Sequence, residues 1–192
     1  MLKPDFLPIQ GERVRLRLLQ ARDAQMFAEG TVDPNVQRYG HLPESEYTPE
    51  SVRTMIERDV VPGLERGDLA VLAIADSATD AFAGSLVIFD VSDESAEVGF
   101  WVHPHYRGAG IASAALALSA RFAWGSGLRE LAARTLPENS ASRRTLTAAG
   151  FAFKYQTVDT APSGERVELL HYLRRCQEGD EQPTPDSLVD RE

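Results

Sequence analysis

The sequence predicts a single α/β domain built on a mixed sheet of six to seven strands, with helices on both faces. Three observations predict it. Period-2 and helical segments follow one another in the order β-α-α-β-β-β-α-β-α-β-β. Three strands between residues 69 and 103 are joined by short loops, an antiparallel run. A strand ending near His103 passes through two glycines into a long Ala/Leu-rich helix.

Each element has its own signal. Residues 11–20 alternate Val14, Leu16 and Leu18 with Arg13, Arg15 and Arg17, the pattern of a strand with one solvated face. Asp23 is placed to cap a short helix carrying Met26 and Phe27. Asp33-Pro34 and residues 39–43 read as an irregular, partly helical connection that includes His41. Thr48-Pro49-Glu50-Ser51 starts a helix with Pro49 at its first position. Its apolar face holds Val52, Met55, Ile56, Val60 and Leu64, and Gly67 ends it. Strands follow at 69–75, 81–90 and 95–103, then the helix 108–124, a strand at 128–136 and a helix at 139–149 stopped by Gly150. A final hairpin joins 151–158 to 166–174 about an Ala-Pro-Ser-Gly turn.

Composition sets bounds. A chain of 192 residues is long enough for one full core. No apolar run reaches membrane-spanning length and residues 1–10 hold no apolar leader, so the expected location is cytoplasmic. Cys176 is the only cysteine, which excludes internal disulfides and a cysteine zinc cluster, and no metal is expected. The net charge of −9 argues against generic nucleic-acid binding. Residues 177–192 carry six acids against Arg191, a net −5, which leaves −4 on the rest. With Pro183 and Pro185 and few large apolar residues, this tail reads as a disordered solvating extension. The expected organisation is an N-terminal extension at 1–8, one domain at 9–176 and the acidic tail at 177–192.

The glycine turn is the most informative segment. Without Cβ atoms the backbone at Gly108 and Gly110 can approach an anion closely, and unpaired amides at a helix start point at it. The helix dipole adds about 0.3–1 kcal/mol. A phosphate or pyrophosphate is the expected ligand; a plain strand–turn–helix corner is the alternative. A P-loop is excluded, because the two lysines, Lys3 and Lys154, lie in no glycine-rich loop. A dinucleotide fingerprint fails as well: Ser113 stands at its third glycine, and Glu130 lies near the start of the next strand.

Three segments in order resemble the GNAT family of N-acetyltransferases, in particular its ribosomal-protein alanine acetyltransferase branch. Tyr106-Arg107-Gly108-Ala109-Gly110-Ile111-Ala112 is similar to the family's Q/R-x-x-G-x-G/A loop. Glu97-Val-Gly-Phe-Trp-Val is similar to that branch's E-x-G-Y-W strand. Asn139-Ser-Ala-Ser142, running on to Gly150-Phe151, is similar to N-x-x-S-x-x-x-h-x-x-x-G-F. The resemblance covers roughly residues 9–174. His105 departs from it at the loop's Gln/Arg position, and Leu146 stands where many members carry a tyrosine.

The resemblance implies an acyl-CoA N-acyltransferase domain with acetyl-CoA as cosubstrate and an amine acceptor, either a protein N-terminus or a small molecule. It implies that the strands of Glu97 and Leu128 part at a bulge. Pantetheine would lie in the gap against backbone groups near Trp101 and Val102. The pyrophosphate would rest on amides of Arg107, Gly108, Ala109, Gly110, Ile111 and Ala112, with Arg107 adding charge at the rim. A carboxylate at Gly110 would then repel the coenzyme. His103 could contribute a phosphate contact, or be a solvated turn residue. Asn139 would bond the pantetheine arm, or simply cap its helix. Glu97 would take the amine proton, or be a surface acid. Ser142 would protonate the leaving thiolate, or cap its helix. The acceptor pocket would form from residues 33–55 and the last hairpin, with His41 in its roof. The resemblance also allows a homodimer through sheet edges or that hairpin. A non-catalytic acyl-CoA-binding module is the reading from another class; it would keep the glycine loop and not need Glu97.

Overall fold

A computed structural model of the chain describes residues 1–40, 42–160 and 166–177. His41, the turn expected at 161–164 and the acidic tail from 178 onward lie outside the described residues. Among the described residues no helix is long and apolar enough to cross a membrane.

One mixed sheet organises the chain. Its strands are β1 (Ile9–Gln10), β2 (Val14–Leu18), β3 (Ala70–Asp76), β4 (Phe82–Phe89), β5 (Ser95–Val102), β6 (Glu130–Thr135), β7 (Ala152–Thr160) and β8 (Arg166–Arg175). The spatial order is β1-β2-β3-β4-β5-β6-β8-β7. Every pair is antiparallel except β5–β6. Eight strands exceed the six to seven expected. The addition is the two-residue β1, too short to show a period. It pairs Ile9 with Leu16 and Gln10 with Arg15 across a turn closed by Gly11 N–H on the Val14 carbonyl at 2.9 Å.

The helices are α1 (Ala24–Thr31), α2 (Pro34–Tyr39), α3 (Pro49–Met55), α4 (Val61–Arg66), α5 (Ile111–Gly125) and α6 (Ser140–Ala148). A π-helical turn, Ile56–Val60, joins α3 to α4. Thr48 and Ser51 cap α3 reciprocally at 2.9 and 3.1 Å, as the Thr-Pro-Glu-Ser signal predicts. Gly67 closes α4 at φ +76°.

Alternating side chains divide the core between the two faces. Leu16, Leu72, Ile74 and Leu86 pack with Leu116, Phe122 and Trp124 of α5. Ala73, Phe82 and Trp101 pack on the other face with Phe27 of α1 and Val52 of α3.

The arginine strand departs from the expected solvated face. Arg17 is only 5% exposed. Its two Nη atoms donate to the Asp23 carboxylate at 2.7 and 2.9 Å, and its Nε donates to Asp80 at 2.9 Å. The guanidinium is buried because two carboxylates satisfy its donors. This also corrects the role of Asp23. Its side chain makes no cap bond to α1; it binds Arg17 and accepts from the Gln20 amide at 2.9 Å.

Candidate active site

The site begins where β5 and β6 part. β5 pairs with β6 only from Ser95–Glu130 to Glu97–Ala132. β4 keeps pairing with β5 through Val102, and β6 keeps pairing with β8 through Thr135. Beyond Glu97, the β6-facing edge of residues 98–102 has no strand partner. The resemblance implied a bulge here. Instead the β4–β5 register is unbroken from Gly84–Val102 to Phe89–Glu97, so the gap arises because β6 diverges together with β8. A cleft of about 770 Å³ fills the gap and reaches the glycine loop, α2, α6 and the last hairpin.

The glycine loop forms one end. Residues 104–106 make a short 3₁₀ turn. Gly108 and Gly110 then take φ +80° and +74°, a region that side chains oppose. Gly110 caps α5 with no side-chain bond, so the first amides of α5 keep their donors for something outside the helix. The two glycines face differently. A Cβ on Gly108 would have nothing within 4 Å, whereas one on Gly110 would meet Arg13 Nη1 at 3.4 Å. A carboxylate at 110 would therefore turn toward a cation, whereas one at 108 would meet open space.

The expected binding residues are not all disposed alike. Trp101, Val102, Arg107, Gly108, Gly110, Ile111, Ala112 and Asn139 line the cleft, with Glu97 and Ser142. The Trp101 ring itself is core, packed edge-on to Phe27 at 5.2 Å and tilted on Phe82 at 5.8 Å. Ala109 and His103 do not line the cleft. The Ala109 carbonyl accepts from Arg13 at 3.0 Å. His103 is 3% exposed, its Nδ1 accepts from the His105 amide at 3.3 Å, and among the described residues its Nε2 has no hydrogen-bond partner. Burial pushes the His103 pKa down from its ordinary 6.5, and the nearby His105 adds to this. Arg107 makes a two-point bond to Asp33 at 2.7 and 3.2 Å, which draws the Asp33 pKa down. Asp33 also caps α2 through the Asn35 and Val36 amides, so this pair ties the loop to α2.

The wall opposite the loop carries the polar chemistry. Glu97 has a side chain 16% exposed and accepts from Arg134 Nε at 2.7 Å. That contact raises the Arg134 pKa. Asp159 on β7 lies 4.0 Å from Arg134 Nη1. His171, opposite Arg134 in the β6–β8 ladder, stacks on Tyr155 at 4.4 Å and meets Thr157 Oγ1 at 2.7 Å through Nε2.

At the head of α6, Asn139 Oδ1 accepts from the Ser142 amide at 3.0 Å. The cap is thus supplied by Asn139, and among the described residues the Ser142 hydroxyl has no hydrogen-bond partner. Leu146 is fully buried in the core, so the position that holds a tyrosine in many relatives points away from the cleft here. Asn35, Val36 and Tyr39 of α2 and Asp159, Val167 and Leu169 of the hairpin also line the cleft. Arg134 and Arg13 escape sequence reasoning. Their contacts join positions 37 and 96 residues apart, with no local motif.

A free strand edge beside uncapped, glycine-flanked amides suits an extended amide chain ending in a pyrophosphate, the shape of coenzyme A. No curated protein matches the chain by sequence. Solved structures do match in fold. RimJ of Mycobacterium smegmatis, in complex with a CoA disulfide, has a TM-score of 0.78 at 23% identity, over 88% of this chain and 84% of that one. The ribosomal-protein-S5-alanine acetyltransferase from Vibrio fischeri reaches 0.74 at 17% identity, over 87% and 95%. The microcin C7 self-immunity acetyltransferase MccE, in complex with acetyl-CoA and AMP, reaches 0.73 at 14% identity, over 86% and 94%. The family model of the acetyltransferase (GNAT) domain matches residues 13–152, most of the chain. The chain belongs to the GNAT acetyltransferase family, as an enzyme that takes its acetyl group from acetyl-CoA.

Proposed function

We propose that the protein acetylates the α-amine of a protein N-terminus by direct transfer within a ternary complex. The observation that carries this reading is that Glu97 and the unpartnered Ser142 hydroxyl line one cleft, with the glycine loop at its end. Amides of residues 108–112 and the Asn139 side chain hold coenzyme A, whose thioester supplies the acetyl group. Backbone N–H groups on the free edge near Trp101 and Val102 polarise the thioester oxygen. Glu97 takes the proton from the acceptor nitrogen, directly or through water, as the N–C bond forms. The C–S bond then breaks, and Ser142 donates its proton to the departing sulfur, to be reprotonated from solvent. Two reactants held together in this way need no acyl-enzyme. Cys176 follows the final strand and does not line the cleft.

The acceptor assignment draws support from the neighbours named for ribosomal-protein acetylation and from the walls of the pocket. Two carboxylates, Glu97 and Asp159, line the cleft with Arg134 and Arg107, and a carboxylate there suits a cationic amine. Turnover of acetyl-CoA with free-N-terminal peptides, N-blocked peptides and small polyamines tests the reading. Activity confined to free N-termini supports it, and activity confined to small amines overturns it.

A further inference from the structure

We propose that Arg13 is a positioning residue for the coenzyme site, acting through the Ala109–Gly110 peptide. The three arginines of the second strand region have different partners. Arg15 bonds Gln10 at 2.6 Å and lies 3.5 Å from Asp80, and Arg17 bonds Asp23 and Asp80. Among the described residues no carboxylate pairs with Arg13. Its side chain makes one hydrogen bond, from Nη1 to the Ala109 carbonyl at 3.0 Å, across 96 positions of sequence.

The base of Arg13 is rigid. It sits in the β1–β2 turn, where its own carbonyl accepts from the Ser77 amide at 3.1 Å and the Glu12 carbonyl accepts from Ser77 Oγ at 2.7 Å. Gly11 brings the turn against α5, since a Cβ there would lie 3.2 Å from Leu118 Cδ1. The short strand β1 thus places a cation behind the start of α5.

A trans peptide points its C=O and N–H in opposite directions. Arg13 holds the Ala109 carbonyl on a side that does not line the cleft, whereas Gly110 does line it. The Gly110 N–H is therefore turned toward the cleft, where the pyrophosphate would rest. A flipped peptide would present a carbonyl oxygen to the phosphates instead. The charge-assisted bond to Arg13 selects the productive orientation before the coenzyme arrives. This role rests on coenzyme binding by the family fold and is independent of which amine is acetylated.

The experiment compares wild type, Arg13→Ala and Arg13→Lys with three thioesters: acetyl-CoA, acetyl-3′-dephospho-CoA and S-acetylpantetheine. Arg13→Ala should raise KM about five- to tenfold for the two that carry a pyrophosphate, with kcat unchanged. It should leave kcat/KM for S-acetylpantetheine unaltered. Arg13→Lys should recover part of the loss, because an ammonium also donates. Equal losses with all three thioesters would make Arg13 a general structural residue and overturn the proposal. A loss confined to acetyl-CoA would make it a direct 3′-phosphate ligand, and unchanged KM would remove any role; both overturn it. Melting temperatures of the variants, with calorimetric binding of CoA, separate a local effect from loss of fold.

Discussion

Arg134 donates its Nε–H to Oε1 of Glu97 at 2.7 Å, from a position two residues beyond the last rung that joins their parallel strands. This holds one carboxylate oxygen and, in the proposed mechanism, leaves the other to take the proton of the acceptor amine. A positioned base of this kind is worth about 10²–10⁴-fold in rate. Glu97→Gln should therefore lower kcat within that range, most severely at pH values where the amine is protonated. Raising the pH should recover part of the loss. Full activity across the pH range would place the base elsewhere. Arg134→Gln should reduce kcat by less, because the carboxylate survives and only its orientation is relaxed.

Asn139 and Ser142 separate two roles that sequence alone leaves overlapping. Asn139 supplies the cap of α6, so Ser142→Ala should leave melting temperature and CoA affinity nearly unchanged. It should lower kcat by about tenfold or more if the hydroxyl is the proton donor. Asn139→Ala should cost about 1 kcal/mol of stability, as lost caps do. A Ser142→Ala variant that loses affinity but keeps kcat would make Ser142 a binding residue.

The glycines of the loop predict an asymmetry. Gly108 faces open space and Gly110 faces Arg13. Gly108→Asp should abolish measurable CoA binding by calorimetry, since it adds an uncompensated carboxylate at a residue that lines the cleft. Gly110→Asp should do less electrostatic damage, its charge meeting the Arg13 guanidinium, although backbone strain at φ +74° still lowers stability. Equal loss of affinity with equal loss of stability in both variants would contradict this geometry.

His103 predicts a pH dependence of stability. Burial holds its pKa below the ordinary 6.5, so between those two values the unfolded chain binds a proton that the folded chain refuses. Stability is greatest above the unfolded value, falls as pH drops from the unfolded value toward the folded one, and levels off below it. Melting temperature should decline as pH falls below the ordinary histidine value of about 6.5, and His103→Gln should flatten the decline. An unchanged slope in that variant would assign the effect to other groups, His171 first, since burial lowers its pKa also.

Much of the site was legible because its signals are local. The glycine loop, the Glu97 strand and the head of α6 each lie within one short segment, and each lines the cleft. What sequence could not show is long-range. The Glu97–Arg134 contact depends on a parallel register, and the Arg107–Asp33 and Arg13–Ala109 contacts join segments 74 and 96 residues apart. Arginine alternation reads as a solvated face whether the side chains meet water or buried carboxylates, which is why Arg17 was misplaced. His103 follows the same logic: a histidine beside a proline turn gives no sign that α1 will cover it. The β1 strand is too short for any period to reveal it.

The most direct test of the account is bisubstrate kinetics with acetyl-CoA and a free-N-terminal peptide, with mass spectrometry locating the acetyl group. Direct transfer predicts intersecting double-reciprocal lines, acetyl on the peptide α-amine, and no acetylated enzyme when acetyl-CoA is supplied alone. Parallel lines together with a covalent acetyl-enzyme would contradict it.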